Sequence, residues 1–400
     1  MKVMKIVGFL CLLVVFNSCC GNGSEPEPPL EGRTVLIYLA ADNSLSLFSE
    51  NDMDEMMEGV AELGNEADNL IVYVDNYSGK PQLVRLKKDE TGVGVQEVIW
   101  TYENQNSVNK EVMKEVFSRT FTDFPAGEYG LVLWSHGEGW LPATSRATSR
   151  SFGQDGSLKM NISDLHEVLK DYHFDFILFD ACFMQSVEVI YELRDCSDSF
   201  IGSSTEIPGP GAPYQNTVKA LFADKSTVAV DVARSYYEYY AAKYNGGINM
   251  SNNNWTGGIS ISVVKSDGLE PLAEATNSIF TRYLNSQTTI DVSGIISEIM
   301  CYDPLRSPSY YYDMDGFIGL LTESNADYTA WQKAYGDAVV YFETTKKNFS
   351  ALGITGMISM EGAEGLSIYI PKKDLTSTNT FYRSYAWYTA AGWDKTGLFQ

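Results

Sequence analysis

A chain of 400 residues with 44% apolar and 20% charged side chains can hold two domains, or one large domain with an appendage. It is too apolar to be disordered. A net charge of −23 excludes nucleic acid and anionic membrane surfaces as partners. The same charge suits a cationic peptide, although most acidic surfaces serve only solubility.

The first 20 residues, MKVMKIVGFLCLLVVFNSCC, place Lys2 and Lys5 before an apolar run too short to span a bilayer. A small residue then precedes a cysteine. This pattern predicts a secretory signal over 1–18 and an exported protein. The end of the run, Phe16-Asn17-Ser18-Cys19, resembles a relaxed bacterial lipobox. The resemblance implies cleavage before Cys19, lipidation of its thiol and a cell-envelope location, outer membrane or cell surface. The other reading is ordinary cleavage near Cys20 and free secretion. Residues 19–32 then carry the attachment site and a flexible tether, GNGSEPEPPLEG.

Thr34 to Ala40 reads as a buried strand followed by the loop ADNSLS, then a helix over 47–62 and a second buried strand, Asn69 to Val74. Residues 81–102 read as a hairpin around a Thr-Gly turn, and 108–121 as a helix. A third strand, Tyr129 to Ser135, ends in His136-Gly137-Glu138-Gly139-Trp140. The polar segment 141–156 contains the direct repeat ATSR-ATSR and reads as an exposed loop. A helix over 161–172, capped by Asn161 or Ser163, leads into the apolar run Phe174 to Phe179. That run ends in Asp180-Ala181-Cys182. The next segment, FMQSVEVIYELRD, has helical spacing, so Cys182 is predicted at a strand-to-helix junction. There the helix dipole would favour the thiolate.

A strand over 200–205 follows, then the rigid loop EIPGPGAPY, helices over 214–223 and 226–243, and a strand over 257–264. From 266 the chain reads as helical (268–286, 291–301, 325–347), with a late strand near 365–370 that could return to the main sheet. The alternation predicts an α/β fold. Residues 33–265 would form a largely parallel sheet with helices on both faces, and 266–400 a mainly helical C-terminal subdomain.

Three cysteines, Cys182, Cys196 and Cys301, remain beyond the leader. That is no disulfide framework, though one bridge between Cys196 and Cys301 is possible and would leave Cys182 as the odd thiol. His136 and Cys182 each end a buried strand, which in a parallel sheet puts both on one edge. Base and thiol would then stand side by side. His166, inside a helix, and His173, at the wrong end of its strand, read as structural. The N–H groups of Gly137 and Cys182 suit an oxyanion hole, glycine allowing close approach. Asp180 faces the same side as Cys182, where it could bind a substrate Arg or Lys or cap the next helix.

The segments LVLWSHGEGW and ILFDACFM resemble the clostripain family of cysteine peptidases, peptidase family C11, of the caspase–gingipain–legumain clan. The resemblance covers about residues 33–265, with ADNSL, PGPGAPY and GLSIYIP adding to it. It implies a caspase-like fold, a His136–Cys182 dyad and cleavage after Arg or Lys. Asp180 would be the acidic base of the S1 pocket, and Glu206 with the loop through Tyr214 could form its wall. Some members need calcium, but no calcium ligand carries over residue by residue. No cofactor is otherwise required, and a monomer acting on peptide or protein substrates is expected. Arg146 and Arg150, in the loop after His136, are the residue type such an enzyme selects. The family's internal cleavage between its His and Cys segments supports self-cleavage there.

Two other readings compete. A catalytically inactive lipoprotein on the same fold could bind a peptide or glycan, and 25 tyrosines would fit a sugar-binding surface. Against it, His136 and Cys182 are both present. Cleavage after Asp is disfavoured by an acidic residue beside Cys182 and by the lack of a matching arginine cluster.

Overall fold

The computed structural model describes residues 30–142, 151–247, 255–284, 292–351 and 356–398. Its centre is β1 (Arg33–Ala41), buried along its whole length. Beside it lie β2 (Asn69–Asn76) and β5 (Glu128–Trp134), with β8 (Phe176–Asp180) and β9 (Ser199–Gly202) beyond β5. These five are parallel, in the order β9-β8-β5-β1-β2. Antiparallel strands extend the sheet at both margins. β3 (Gln82–Lys88) and β4 (Gly94–Thr101) form the expected hairpin on β2. β10 (Ser260–Lys265) and β12 (Val339–Thr344) continue it past β9.

Alternation of side chains divides the core in two. Val35, Ile37 and Leu39 pack under α1 (Ser46–Val60), α5 (Tyr214–Leu221) and α6 (Val228–Lys243). Leu36, Tyr38 and Leu131 face α2 (Lys110–Asp123), α3 (Ile162–Leu169) and α4 (Val187–Glu192). The start of α2 is held by Asn109, whose side chain accepts from the Glu111 and Val112 amides. The second layer is completed by α7 (Leu269–Tyr283), α9 (Met314–Leu321), α10 (Asn325–Ala338), α11 (Thr376–Tyr382) and α12 (Ala386–Ala390), with the single turn α8 (Val292–Ile295).

Three local readings change. Residues 325–347 read as one helix, but α10 stops at Ala338 and β12 follows at once. VVYFET is β-branched and aromatic, which favours a strand once a sheet edge is available. This strand joins the main sheet. The late segment does not: β15 (Ser367–Ile368) pairs with β11 (Tyr312–Asp313) in a separate ribbon, as β13 (Lys347–Phe349) does with β14 (Met357–Ser359). Finally, the end of the polar loop after Trp140 is a small hairpin, β6 (Phe152–Asp155) with β7 (Leu158–Met160). Residues 143–150, which carry Arg146 and Arg150, lie outside the described residues, as does Cys19.

The 25 tyrosines serve the interior. Among the described residues only Tyr77 is strongly exposed, while Tyr38, Tyr73, Tyr214, Tyr236, Tyr302 and Tyr311 are fully buried. Among the described residues the strongly exposed aromatics are Tyr77 and Trp100. Among the described residues no helix is long and apolar enough to cross a membrane. All three cysteines are free thiols, so the Cys196–Cys301 bridge does not form.

Candidate active site

Strands β5 and β8 are adjacent and parallel, with Trp134 paired to Asp180. Two residues further along each chain, His136 stands beside Cys182. The approach is close. A Cβ on Gly137 would lie 2.5 Å from the Cys182 carbonyl oxygen and 2.9 Å from the Ala181 Cβ, so only glycine fits there. The β6 hairpin locks this segment: Gly153 donates to the His136 carbonyl and Glu138 to that of Ser151. The imidazole Nε2 lies 2.8 Å from the Ser44 hydroxyl, in the loop after β1.

After Cys182 the chain turns through Phe183, the one non-glycine residue with positive φ (61°) among the described residues. Such a conformation costs about 1–3 kcal/mol and persists only where the surroundings enforce it. Here the Phe183 amide donates to the Thr205 carbonyl, and its ring stacks on Tyr311 at 5.0 Å. The Tyr311 hydroxyl donates to the Glu138 carbonyl, so one buried side chain holds both catalytic loops. Arg306 adds an ion pair to Glu138 at 2.5 Å. Trp140 is packed by Tyr369, Tyr382 and Tyr385. The tail thus clamps the His136 loop, a role that the run SPSYYYD did not disclose.

The expected helix dipole behind Cys182 is not there. α4 begins at Val187, with Ser186 as cap, so the thiol stands outside the range of its N-terminal turn. Burial raises the Cys182 pKa, and the carboxylates of Glu206, Glu138 and Asp180 raise it further, while a hydrogen bond from the Ile207 N–H opposes them. These surroundings favour the neutral thiol over the thiolate.

Asp180 faces the α1/α5/α6 layer and is 1% exposed. Its Oδ2 accepts from the Tyr214 hydroxyl and the Ala212 amide, and its Oδ1 from the Tyr236 hydroxyl. It caps no helix behind Cys182. A Cβ on Gly211 (φ 71°) would come within 2.8 Å of Oδ2, which is why the turn PGPG is needed there. Burial pushes the Asp180 pKa up. Behind it stand Asp52, likewise raised by burial and then by the Asp180 charge, and Glu55, pushed up to about 7 mainly by burial. These two carboxylates went unnoticed in the sequence because α1 reads as an ordinary acidic helix. Glu206 lies on the other side of Cys182, its Oε2 accepting from the Ala351 amide at 2.7 Å. His166 and His173 pair with Asp195 and Asp198 at the opposite edge of the sheet, away from this site.

Comparison with known proteins places the chain in a family. The clostripain family model matches residues 37–397, extending the resemblance through the tail. Clostripain from Hathewaya histolytica is 27% identical over 229 residues, 48% of this chain and 43% of that protein, so the match spans under half its length. A secreted C11 cysteine protease from Bacteroides thetaiotaomicron, solved with an irreversible peptide inhibitor, is 47% identical. The alignment covers 91% of this chain and all of that one, with a TM-score of 0.82. An inactive zymogen C11 protease from Parabacteroides distasonis is 34% identical over 91% of this chain and 99% of its own, with a TM-score of 0.78.

Proposed function

Since the chain belongs to the clostripain family of cysteine endopeptidases, we propose that it cuts peptide bonds after Arg or Lys with His136 and Cys182 as dyad. The observation that supports this reading is the register of β5 and β8, Trp134 opposite Asp180, which brings the ends of the two strands that carry His136 and Cys182 to one edge of the sheet. His136 takes the thiol proton as sulfur attacks the carbonyl carbon, then gives it to the leaving amine. The acyl-enzyme is hydrolysed by water with the same base. The amides of Gly137 and Cys182 stabilise the oxyanion. Asp180, backed by Asp52 and Glu55, supplies the negative charge that selects a basic P1 side chain, and Glu206 borders the same pocket. Export follows the secreted relative, and a lipid anchor at Cys19 belongs to this reading. The assay is hydrolysis of fluorogenic peptides with Arg, Lys, Asp or Ala at P1. Equal rates for Ala and Arg would overturn the specificity.

Calcium dependence is tested by a chelator arm in that assay. Asp42, Asp75 and Asp155 are carboxylates near the Ser44 loop whose charges act on one another. The Asp75 Oδ2 is buried without a hydrogen-bond partner, and burial with the other two charges pushes this carboxyl up to about 7.

Ser44 positions the imidazole. Ser44→Ala should lower kcat about fivefold with KM nearly unchanged, the cost of one hydrogen bond at about 1 kcal/mol. An unchanged kcat would show that the β5 loop alone orients His136.

Self-cleavage in the loop ATSRATSRSFG belongs to the same reading. Wild-type protein should yield a chain beginning at Ser151, or at Ala147 when Arg150 is blocked, while Cys182→Ala stays whole. The two fragments should remain together, since β5 and β8 pair within one sheet. N-terminal sequencing decides, and a Cys182→Ala sample nicked at the same bond in a protease-free preparation would assign the cut to another enzyme.

A further inference from the structure

At the edge of the sheet opposite the dyad, His166, Asp195 and Cys196 converge. His166 stands in the last turn of α3, and Asp195 and Cys196 lie between α4 and β9. The His166 Nε2 is 2.9 Å from the Asp195 Oδ1, and the Cys196 thiol donates to the same oxygen at 3.6 Å. One ligand atom from each residue lies within 4.8 Å of the other two. We propose that these three side chains form a zinc site, separate from peptide hydrolysis.

The donor set argues for this ion. Imidazole nitrogen, carboxylate oxygen and thiolate sulfur are the three ligand types that zinc takes, whereas calcium and magnesium require oxygen. Bond lengths near 2.0–2.3 Å put tetrahedral ligands roughly 3.4–3.7 Å apart. Of the present separations, 2.9 Å needs a small widening, 3.6 Å already fits, and the third lies within 4.8 Å. Charge also closes: Zn²⁺ with one thiolate, one carboxylate and a neutral imidazole is net neutral, and the Cys196 proton leaves to solvent. Without a metal a Cys196 thiolate would face the Asp195 carboxylate unscreened.

Access and support are both present. Cys196 is fully buried, while the side chain of Asp195 is 61% exposed and that of His166 26%, so an ion has an entry path and a water has the fourth position. The backbone around the sulfur is fixed, the Cys196 amide donating to the Leu193 carbonyl and its own carbonyl accepting from Phe174. Such a metal ties α3 to the segment entering β9. It is remote from Cys182, because the five residues of β8 alone separate the two ends by roughly 15 Å.

The test uses full-length Cys182→Ala protein, so that the dyad thiol cannot compete, freed of metal and titrated with zinc chloride alone and with cobalt(II). One equivalent of zinc should bind with a rise in Tm. Cobalt should give a tetrahedral spectrum with a thiolate charge-transfer band. His166→Ala and Cys196→Ser should each weaken zinc binding at least tenfold, and Cys196→Ser should remove the charge-transfer band. Should Cys196→Ser fail to fold, the partly exposed His166→Ala variant decides. Absence of stoichiometric zinc binding, affinity unchanged in the variants, or a cobalt spectrum without the thiolate band would each overturn the site.

Discussion

Cys182→Ala and His136→Ala should each lower kcat/KM for an arginine substrate by on the order of 10⁴-fold or more, with Tm within a few degrees of wild type. The two are expected to cost about the same, and the double variant little more, because they act as one unit. Burial and the carboxylates of Glu206, Glu138 and Asp180 favour the neutral thiol. Without His136 the thiol loses the base assigned to take its proton, and a thiol is a far weaker nucleophile than its thiolate. Neither change disturbs the core: both side chains are half-buried at the sheet edge, and the clamp formed by Tyr311, Phe183 and the Glu138 carbonyl stays in place. Initial rates on a fluorogenic substrate, with circular dichroism as the folding control, provide the check. A folded variant of either kind within tenfold of wild type would remove that residue from the dyad.

The parts of this arrangement set by local pattern were legible in the chain. Runs such as TVLIYLA and FILFD have no polar face, so they can only be strands buried on both sides, and their ends give the catalytic edge. The hairpin β3–β4 follows from its Thr-Gly turn. What depended on distant partners was not legible. VVYFET continues a helical pattern and becomes β12 only because β10 offers an open edge. The helix after Cys182 was expected one turn too early, since Phe183 takes a left-handed conformation that Tyr311 and Thr205 impose from more than 20 residues away. Asp52, Tyr311 and Arg306 carry no motif, and Ser44, though inside ADNSL, shows no partner in the sequence; only the folded chain brings them to the site. The same limit applies to His166, which reads as a helix-surface histidine until Asp195 and Cys196 are placed against it.

Asp180→Asn should keep the nucleophile and lose the preference for basic P1. Geometry makes the variant a fair test. The Ala212 amide and the Tyr214 hydroxyl both point at Oδ2, so the asparagine oxygen must take that place. Its NH₂ then faces the Tyr236 hydroxyl, which can turn from donor to acceptor at the cost of the bond it now donates to Oδ1. The fold is preserved while the charge goes. A hydrogen bond to a charged group contributes about 1.5–3 kcal/mol, so kcat/KM for Arg or Lys substrates should fall roughly 10- to 150-fold. For an alanine substrate it should change little. A pH signature accompanies this. Burial raises the Asp180 pKa, so its carboxyl protonates at a higher pH than an exposed aspartate. Only the ionised form attracts a cation. In wild type, therefore, kcat/KM for basic substrates should decline as pH falls through this raised value, while the alanine substrate shows no such limb. A bound P1 cation stabilises the carboxylate, so the limb should move to lower pH in kcat than in kcat/KM. Asp180→Asn should abolish the difference between the two substrates' profiles. An arginine profile and rate unchanged in the variant would show that Asp180 only braces Tyr214 and Tyr236, and would move P1 recognition to Glu206.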